Sequence, residues 1–393
     1  MGKKFHGRGI WTIRRFVMYS ISSDNRLWVD ETWEKIVTKL SRVAPRSKNK
    51  LPFTTEDGVH DDKFAKNSVF WWTNGFWPAM MWLMYTGTKD EIFREVAETA
   101  EGMLDTPLQR YSDLDHDAGF LWHISAGANY RLTGNEKSKA RAMYAAKFLA
   151  SRYNIKGEFI RAWNGAERQG WTIIDTMMNI PLLYWASREA DDPRFRFVAE
   201  SHADMTIRDH IRPDGSARHI VIHDFMNGGV IDEVRGQGYE IGTSWSRGQG
   251  WGLYGFILSY IHTGKQEYLD TAKRIAHYFI SCVCNDWLPR CDFRSPPEPV
   301  IYDSTASGLS ACALLEIAKA VPELERDTYI NAALNILKAA DKKFCNWEEN
   351  EDSIVQMGTG AYHDKKHHYP IIYGDFFFIE AVYKLKGFDF LIW

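Results

Sequence analysis

Helical periodicity runs through almost the whole chain, and it comes in two kinds that take turns. One kind is amphipathic and charged, at roughly 31–43, 89–104, 136–152, 193–210, 265–282 and 326–345. Apolar residues there recur at i, i+3, i+4 and i+7, which marks a surface helix with one buried stripe. The other kind is apolar nearly all round, at roughly 75–85, 118–132, 175–188, 247–262, 304–319 and 374–386. A helix apolar on every face must be enclosed by other elements. Strict alternation of six exposed with six enclosed helices predicts six hairpins, each with an outer and an inner member, closing into a double ring. The fold class is therefore all-α, an (α/α)6 barrel.

Six repeats over about 350 residues average near 58 each, within or slightly above the usual range for helical-hairpin repeats. No Pro-, Gly- or Ser-rich linker divides the chain, so residues 31–393 read as a single barrel domain behind an N-terminal extension, 1–30. The main interruption is 211–245. There RHIVIHD and GGVIDEV alternate around Asn227, Gly228 and Gly229, predicting a small β-hairpin insertion near 217–234. The stretch 283–303, with Pro289, Pro296, Pro297 and Pro299, reads as a long loop.

Charge narrows the partners. Lys and Arg number 48 against 51 Asp and Glu, a net charge of −3, so no basic field exists to attract nucleic acid. No apolar run approaches the roughly 20 residues that span a bilayer, so no membrane partner is expected. The basic N-terminus resembles a signal peptide, but Arg14 and Arg15 break its apolar stretch and no small-residue cleavage site follows. Five cysteines, at 282, 284, 291, 312 and 345, make an odd count without a standard zinc spacing. They read as reduced thiols of a cytoplasmic protein. A monomer or a homodimer is expected.

Each inner helix is introduced by a polar and aromatic cluster: WWTNGFW (71–77), DLDHDAGF (113–120), WTIIDTMMN (171–179), SWSRGQGWG (244–252), YDSTASG (302–308) and YGDFFFIE (373–380). In an alternating ring the inner helices run the same way, so all six clusters meet at one end. The result is a cavity of carboxylates, Trp and an Arg, suited to an anionic sugar. An Asp before a helix ordinarily caps it. Asp303 and Asp375 are read as caps or structural hydrogen-bond acceptors, and Asp117 and Asp175 are not. Asp175 lies among Ile173, Ile174, Met177 and Met178, surroundings that raise a carboxyl pKa and fit a general acid. The 58 residues from Asp117 to Asp175 match one hairpin period, which places both on neighbouring inner helices facing one cavity.

These clusters resemble those of the unsaturated glucuronyl hydrolases, glycoside hydrolase family 88, and more distantly family 105. The matching segments are WTNGFW, HDAGF, FIRAWNG, IIDTMMNIPLL, the RGQG run at 235–238, SWSRGQGWGLYGF, DSTASG with ACALLEIA, and YGDFFFIEAV. They recur in family order from about residue 70 to 386. The resemblance implies an (α/α)6 barrel, Asp175 as general acid and base, and Asp117 as a second essential carboxylate. It implies that Trp72, Trp163 and Trp251 surround the uronate ring, with His219, Gln237 and Arg247 as polar contacts. It also places Lys365, in the loop 360–370, where relatives that accept sulfated substrates carry Lys. His363, Lys366, His367 and His368 add potential positive charge beside it, without partner ligands for zinc.

The implied chemistry removes a terminal 4,5-unsaturated uronic acid from lyase-generated oligosaccharides, most readily glycosaminoglycan disaccharides. The C4=C5 enol ether is hydrated, and no metal or organic cofactor is needed. This chain departs from the family pattern at Asp115 and His116 before Asp117, at Cys291, and at the triplet Phe376, Phe377 and Phe378. Two other readings compete: an unsaturated rhamnogalacturonyl hydrolase of family 105 type, and a non-catalytic helical-repeat scaffold that binds carbohydrate.

Overall fold

The computed structural model describes residues 19–393. Six long outer helices, Ser23–Arg46, Glu91–Met103, Glu136–Ser151, Pro193–Asp209, Gln266–Val283 and Glu323–Phe344, alternate with six inner ones. The inner helices are Phe76–Thr88, Ala126–Thr133, Pro181–Ala190, Ser246–Thr263, Thr305–Ala320 and Ile372–Lys386. The last inner helix packs against the first, which closes the ring into an (α/α)6 barrel. Among the described residues no helix is long and apolar enough to cross a membrane.

The alternation follows from local rules. Inner helices are buried on every side, as in Thr305–Ala320, where all residues from Thr305 to Ala318 are buried. Turns between hairpin partners are tight. The helix Ala126–Thr133 ends at Gly134, whose φ of 75° suits a residue without Cβ. The next residue, Asn135, then caps the following outer helix by accepting from the N–H groups of Lys137 and Ser138.

The first helix corrects the expected boundary at residue 30. It begins at Ser23, with the Ser22 side chain accepting from Asn25 N, and its buried stripe runs Val29, Trp33, Ile36, Leu40 and Val43. Arg26 Nη1 donates to Leu385 O at 2.7 Å, so this segment is part of the barrel wall. Residues 1–18 of the expected extension lie outside the described residues.

The barrel axis opposite the site is filled by aromatic rings and by the C-terminal segment. Trp393 is buried and stacks on Phe377 with centroids 6.0 Å apart. Three charged side chains are buried there as a network. Lys384 Nζ lies 2.8 Å from Glu316 Oε1 and 3.2 Å from Glu380 Oε1, while Tyr254 and Trp393 donate to the Glu380 carboxylate. Each buried charge is thus matched by opposite charge and hydrogen bonds, the condition under which burial is tolerated.

The expected hairpin is present as Ile220–His223 and Val230–Val234, but it is not a separate insertion. It pairs antiparallel with a third strand, Trp171–Ile173, with Ile173 opposite Ile220. Ile174 N continues the ladder by donating to His219 O at 3.1 Å. The sheet therefore delivers Asp175 and His219 to the same place.

Candidate active site

Two inner helices are preceded by turns of non-α geometry. Gly119–His123 is a π-helical turn ahead of Ala126–Thr133, and Ile174–Met178 is a 3-10 turn ahead of Pro181–Ala190. Pro181 fixes where the second helix begins, because its ring pre-sets φ and needs no N–H partner there. Asp175 sits in the second turn and Asp117 two residues ahead of the first, and both face a cavity of about 340 Å³ that Trp72, Trp163, His219 and Gln237 also line. Six of the nine expected site residues therefore share one cavity.

Asn179, which the sequence reading did not single out, sets the carboxylate pair. Its Oδ1 accepts from Phe120 N at 2.7 Å, while its Nδ2 donates to Asp117 Oδ1 at 3.1 Å and to Asp175 O at 3.4 Å. Its place four residues after Asp175 was the available signal. Asp115, noted in the sequence only as a departure from the family pattern, takes part as well. Its Oδ1 accepts from Asp117 N at 3.0 Å, holding the turn.

The two carboxyls differ in environment. Burial pushes Asp175 up to about 7, against a smaller downward pull from the Arg247 charge. Its Oδ1 is buried without a hydrogen-bond partner. Asp117 is raised well above the usual carboxylate range by burial and by the neighbouring Asp115 and Asp175 charges. Asp115 is raised by burial as well. A cavity with this many carboxyls can admit an anion only if they keep protons, and burial has that effect.

Both imidazoles at the site are neutral. Burial lowers His219 and His116 to about 3. His116 Nδ1 lies 3.0 Å from Thr176 Oγ1. The backbone N–H of Gln237 donates to His219 Nδ1 at 3.0 Å, closer than the Arg235 carbonyl at 3.3 Å, which assigns the imidazole proton to Nε2. Nε2 faces Asp175 Oδ1 at 3.7 Å.

Asp115, His116 and Asp117 bring three ligand-type atoms within 4.8 Å of one another. Each has a partner in the protein: Asp115 the backbone of Asp117, His116 the Thr176 hydroxyl, and Asp117 the Asn179 amide. These contacts orient the three side chains at the cavity wall.

Three expected contacts lie elsewhere. Trp251 is fully buried beneath the floor, 6.3 Å from Trp72 and 5.2 Å from Phe120 between ring centroids. Arg247 is 1% exposed and pairs with Asp303, donating also to Thr359 O at 2.8 Å and Gly360 O at 2.6 Å. Its charge reaches Asp175 while its donors hold the 359–360 loop. Lys365 is exposed on that loop and outside the cavity lining. Gln237 Nε2 donates to Gly360 O at 3.2 Å, tying the same loop to the cavity wall.

Asp303 and Asp375 act as structural acceptors. Asp303 accepts from Thr305 N but chiefly serves the buried Arg247 pair. Asp375 sits inside its helix and accepts from Ile354 N and Val355 N of the preceding loop, at 2.9 and 2.6 Å.

No protein-family model matches the chain. It is 37% identical over 336 residues to the unsaturated glucuronyl hydrolase of Bacillus sp. (strain GL1), covering 83% of this chain and 89% of that one. The chain belongs to the unsaturated glucuronyl hydrolases, glycoside hydrolase family 88. The crystal structure of the Bacillus protein superposes with a TM-score of 0.84, covering 90% of this chain and 96% of that chain. An unsaturated chondroitin disaccharide hydrolase of Streptococcus pyogenes serotype M1 is 32% identical over 362 residues, 89% of this chain and 90% of its own. A mutant of the Streptococcus agalactiae unsaturated glucuronyl hydrolase, solved with dGlcA-GalNAc6S, matches at 26% identity and a TM-score of 0.80, over 96% of this chain and 98% of that one. Membership selects the family 88 reading over the rhamnogalacturonyl hydrolase and the binding scaffold. As in that family, the chain is a hydrolase.

Proposed function

We propose that this cavity removes the terminal 4,5-unsaturated uronate from lyase-generated glycosaminoglycan disaccharides by hydrating the enol ether, with Asp175 as general acid and base. The relatives' named substrates support the substrate class. One observation carries the chemistry: Asp175 presents a buried, unpaired Oδ1 to the cavity and keeps its proton to about 7. Asp175 gives that proton to C4, and the positive charge that forms is shared by C5 and the ring oxygen. Water adds at C5 and loses a proton to the Asp175 carboxylate. The C5 hemiketal then opens to a ketone, leaving a hemiacetal at C1. That hemiacetal collapses to an aldehyde and expels the remaining sugar with a proton on its oxygen. The balance is one water consumed and the carboxyl regenerated.

Asp117 receives sugar hydroxyls from its Asn179-held position, and Trp72 and Trp163 wall the ring. Neutral His219 offers its Nε2 proton toward the Asp175 carboxylate left after the first step, which stabilises developing negative charge without adding a competing acid. Arg247 favours the same ionised form at longer range. Lys365 and its loop read as the recognition element for a sulfated leaving sugar. Five free cysteines suit the reducing cytoplasm as the site of action. Loss of the conjugated double bond's ultraviolet absorbance from an unsaturated chondroitin disaccharide tests the activity. Unchanged absorbance on chondroitin, hyaluronan and heparin disaccharides alike would refute the substrate class.

A further inference from the structure

A second cavity, about 410 Å³, adjoins the first at residues 112–113 and 163–164. Neighbouring residues face opposite ways across their shared wall. Asp113 and Trp163 line the active cavity, whereas Ser112 and Asn164 line the other. Asn164 Nδ2 closes that wall by donating to Ser112 O at 3.1 Å and Leu114 O at 2.9 Å. The second cavity is lined by two arginines, Arg152 and Arg161, with amides from Asn164 and Gln169, and by no carboxylate.

Neither guanidinium has a charged hydrogen-bond partner. Arg152 donates to Arg161 O at 2.9 Å, Ala162 O at 3.0 Å, Leu114 O at 3.5 Å and Asn164 Oδ1 at 2.9 Å, all neutral acceptors. Arg161 donates from Nη2 to Gly165 O, and its Nε is buried without a partner. Burial lowers Arg152 to about 10 against an upward pull from the Asp115 and Asp117 carboxyls of the first cavity, which leaves it charged at neutral pH. Two guanidiniums with no acid in the lining make a site for an oxyanion, because guanidinium forks match carboxylate and sulfate geometry.

The geometry points to a distal subsite here, in which Arg161, backed by Arg152, binds a sulfate ester or carboxylate on a sugar beyond the leaving sugar. This inference rests on the hydrolase reading above. A chain whose uronate reaches Asp175 passes over the 112–113 and 163–164 wall into the second cavity. The site thus extends the preferred substrate from disaccharides to longer anionic oligosaccharides.

The test compares an unsaturated chondroitin disaccharide with an unsaturated sulfated chondroitin tetrasaccharide. Arg161→Gln should raise KM for the tetrasaccharide about tenfold, the loss of one charge-assisted hydrogen bond, while the disaccharide's kcat and KM stay unchanged. Gln169→Ala should shift the tetrasaccharide in the same direction by less. Sodium sulfate should compete with the tetrasaccharide alone, beyond the effect of sodium chloride at equal ionic strength. Sulfate competition without any Arg161→Gln effect on the tetrasaccharide would mean a free-anion site and overturn the glycan subsite. Equal shifts on both substrates, or none, would also overturn it, and the disaccharide rate shows whether each variant has folded. Wild-type protein inactive on the disaccharide would refute the hydrolase reading, and this inference with it.

Discussion

Asp175 Oδ1 and His219 Nε2 face each other at 3.7 Å, buried, and neither atom has a hydrogen-bond partner in the protein. Two strands of one small sheet place them there, and the Gln237 backbone fixes which imidazole nitrogen holds the proton. An acid that must first give and then recover a proton needs a neighbour that responds to its charge without supplying its own proton. A neutral imidazole with a pKa near 3 meets that need.

Asp175→Asn removes both the donor and the acceptor. Turnover should fall by about 10³–10⁴, with KM changed little, since the ring walls remain. Steady-state absorbance kinetics check this. A variant keeping about a tenth of the wild-type rate would remove Asp175 from the role.

The pH profile has a definite sign. Burial favours the neutral carboxyl, so the active form is protonated below about 7 and lost above it. The value of kcat/KM should fall about tenfold per unit on the alkaline side of that point. The same shift makes the folded state hold a proton that the unfolded chain has released. Its contribution to stability is therefore fully present below about 3.8 and lost as pH rises through about 7. A profile flat from pH 6 to 9 would contradict the assignment.

Gly119→Ala tests the Asn179 clamp. A Cβ at Gly119 would sit 2.5 Å from Asn179 Cα and 2.6 Å from its carbonyl oxygen, both backbone atoms that cannot swing away. The substitution should cost roughly 1–3 kcal/mol and lower activity further, because Asn179 holds Asp117. Thermal unfolding and kinetics together check it. Wild-type values in both would show that the clamp is dispensable.

Lys384→Met should be among the most destabilising single changes. It leaves Glu316 and Glu380 buried without their shared cation, a loss of roughly 3–5 kcal/mol. Lys319, also 2.9 Å from Glu316 Oε1, relieves one of the two carboxylates. Denaturant titration measures the change. A loss below about 1 kcal/mol would mean the network is solvated.

The barrel was legible because enclosure leaves a periodic trace: helices apolar on every face alternate with striped ones. The carboxylate pair was legible because one hairpin period separates Asp117 from Asp175. Other features depend on contacts between distant segments. Arg247 reads like a substrate contact until Asp303, 56 residues away, is seen to hold it. Trp251 reads like a wall until the rings of Trp72, Phe120 and Phe377 cover it. The strand Trp171–Ile173 was hidden in an apolar run too short to distinguish from a helix start. The helix start at Ser23 was missed although Ser22 offered a cap signal.

The most direct test of the account is hydrolysis in deuterated water, with the uronate product examined early by NMR. Protonation of the double bond by Asp175 predicts one deuterium at C4 of the released keto acid, and no cleavage of a saturated glucuronide. Attack at the anomeric carbon would leave C4 without deuterium and would cleave the saturated glucuronide as well, contradicting the hydration mechanism.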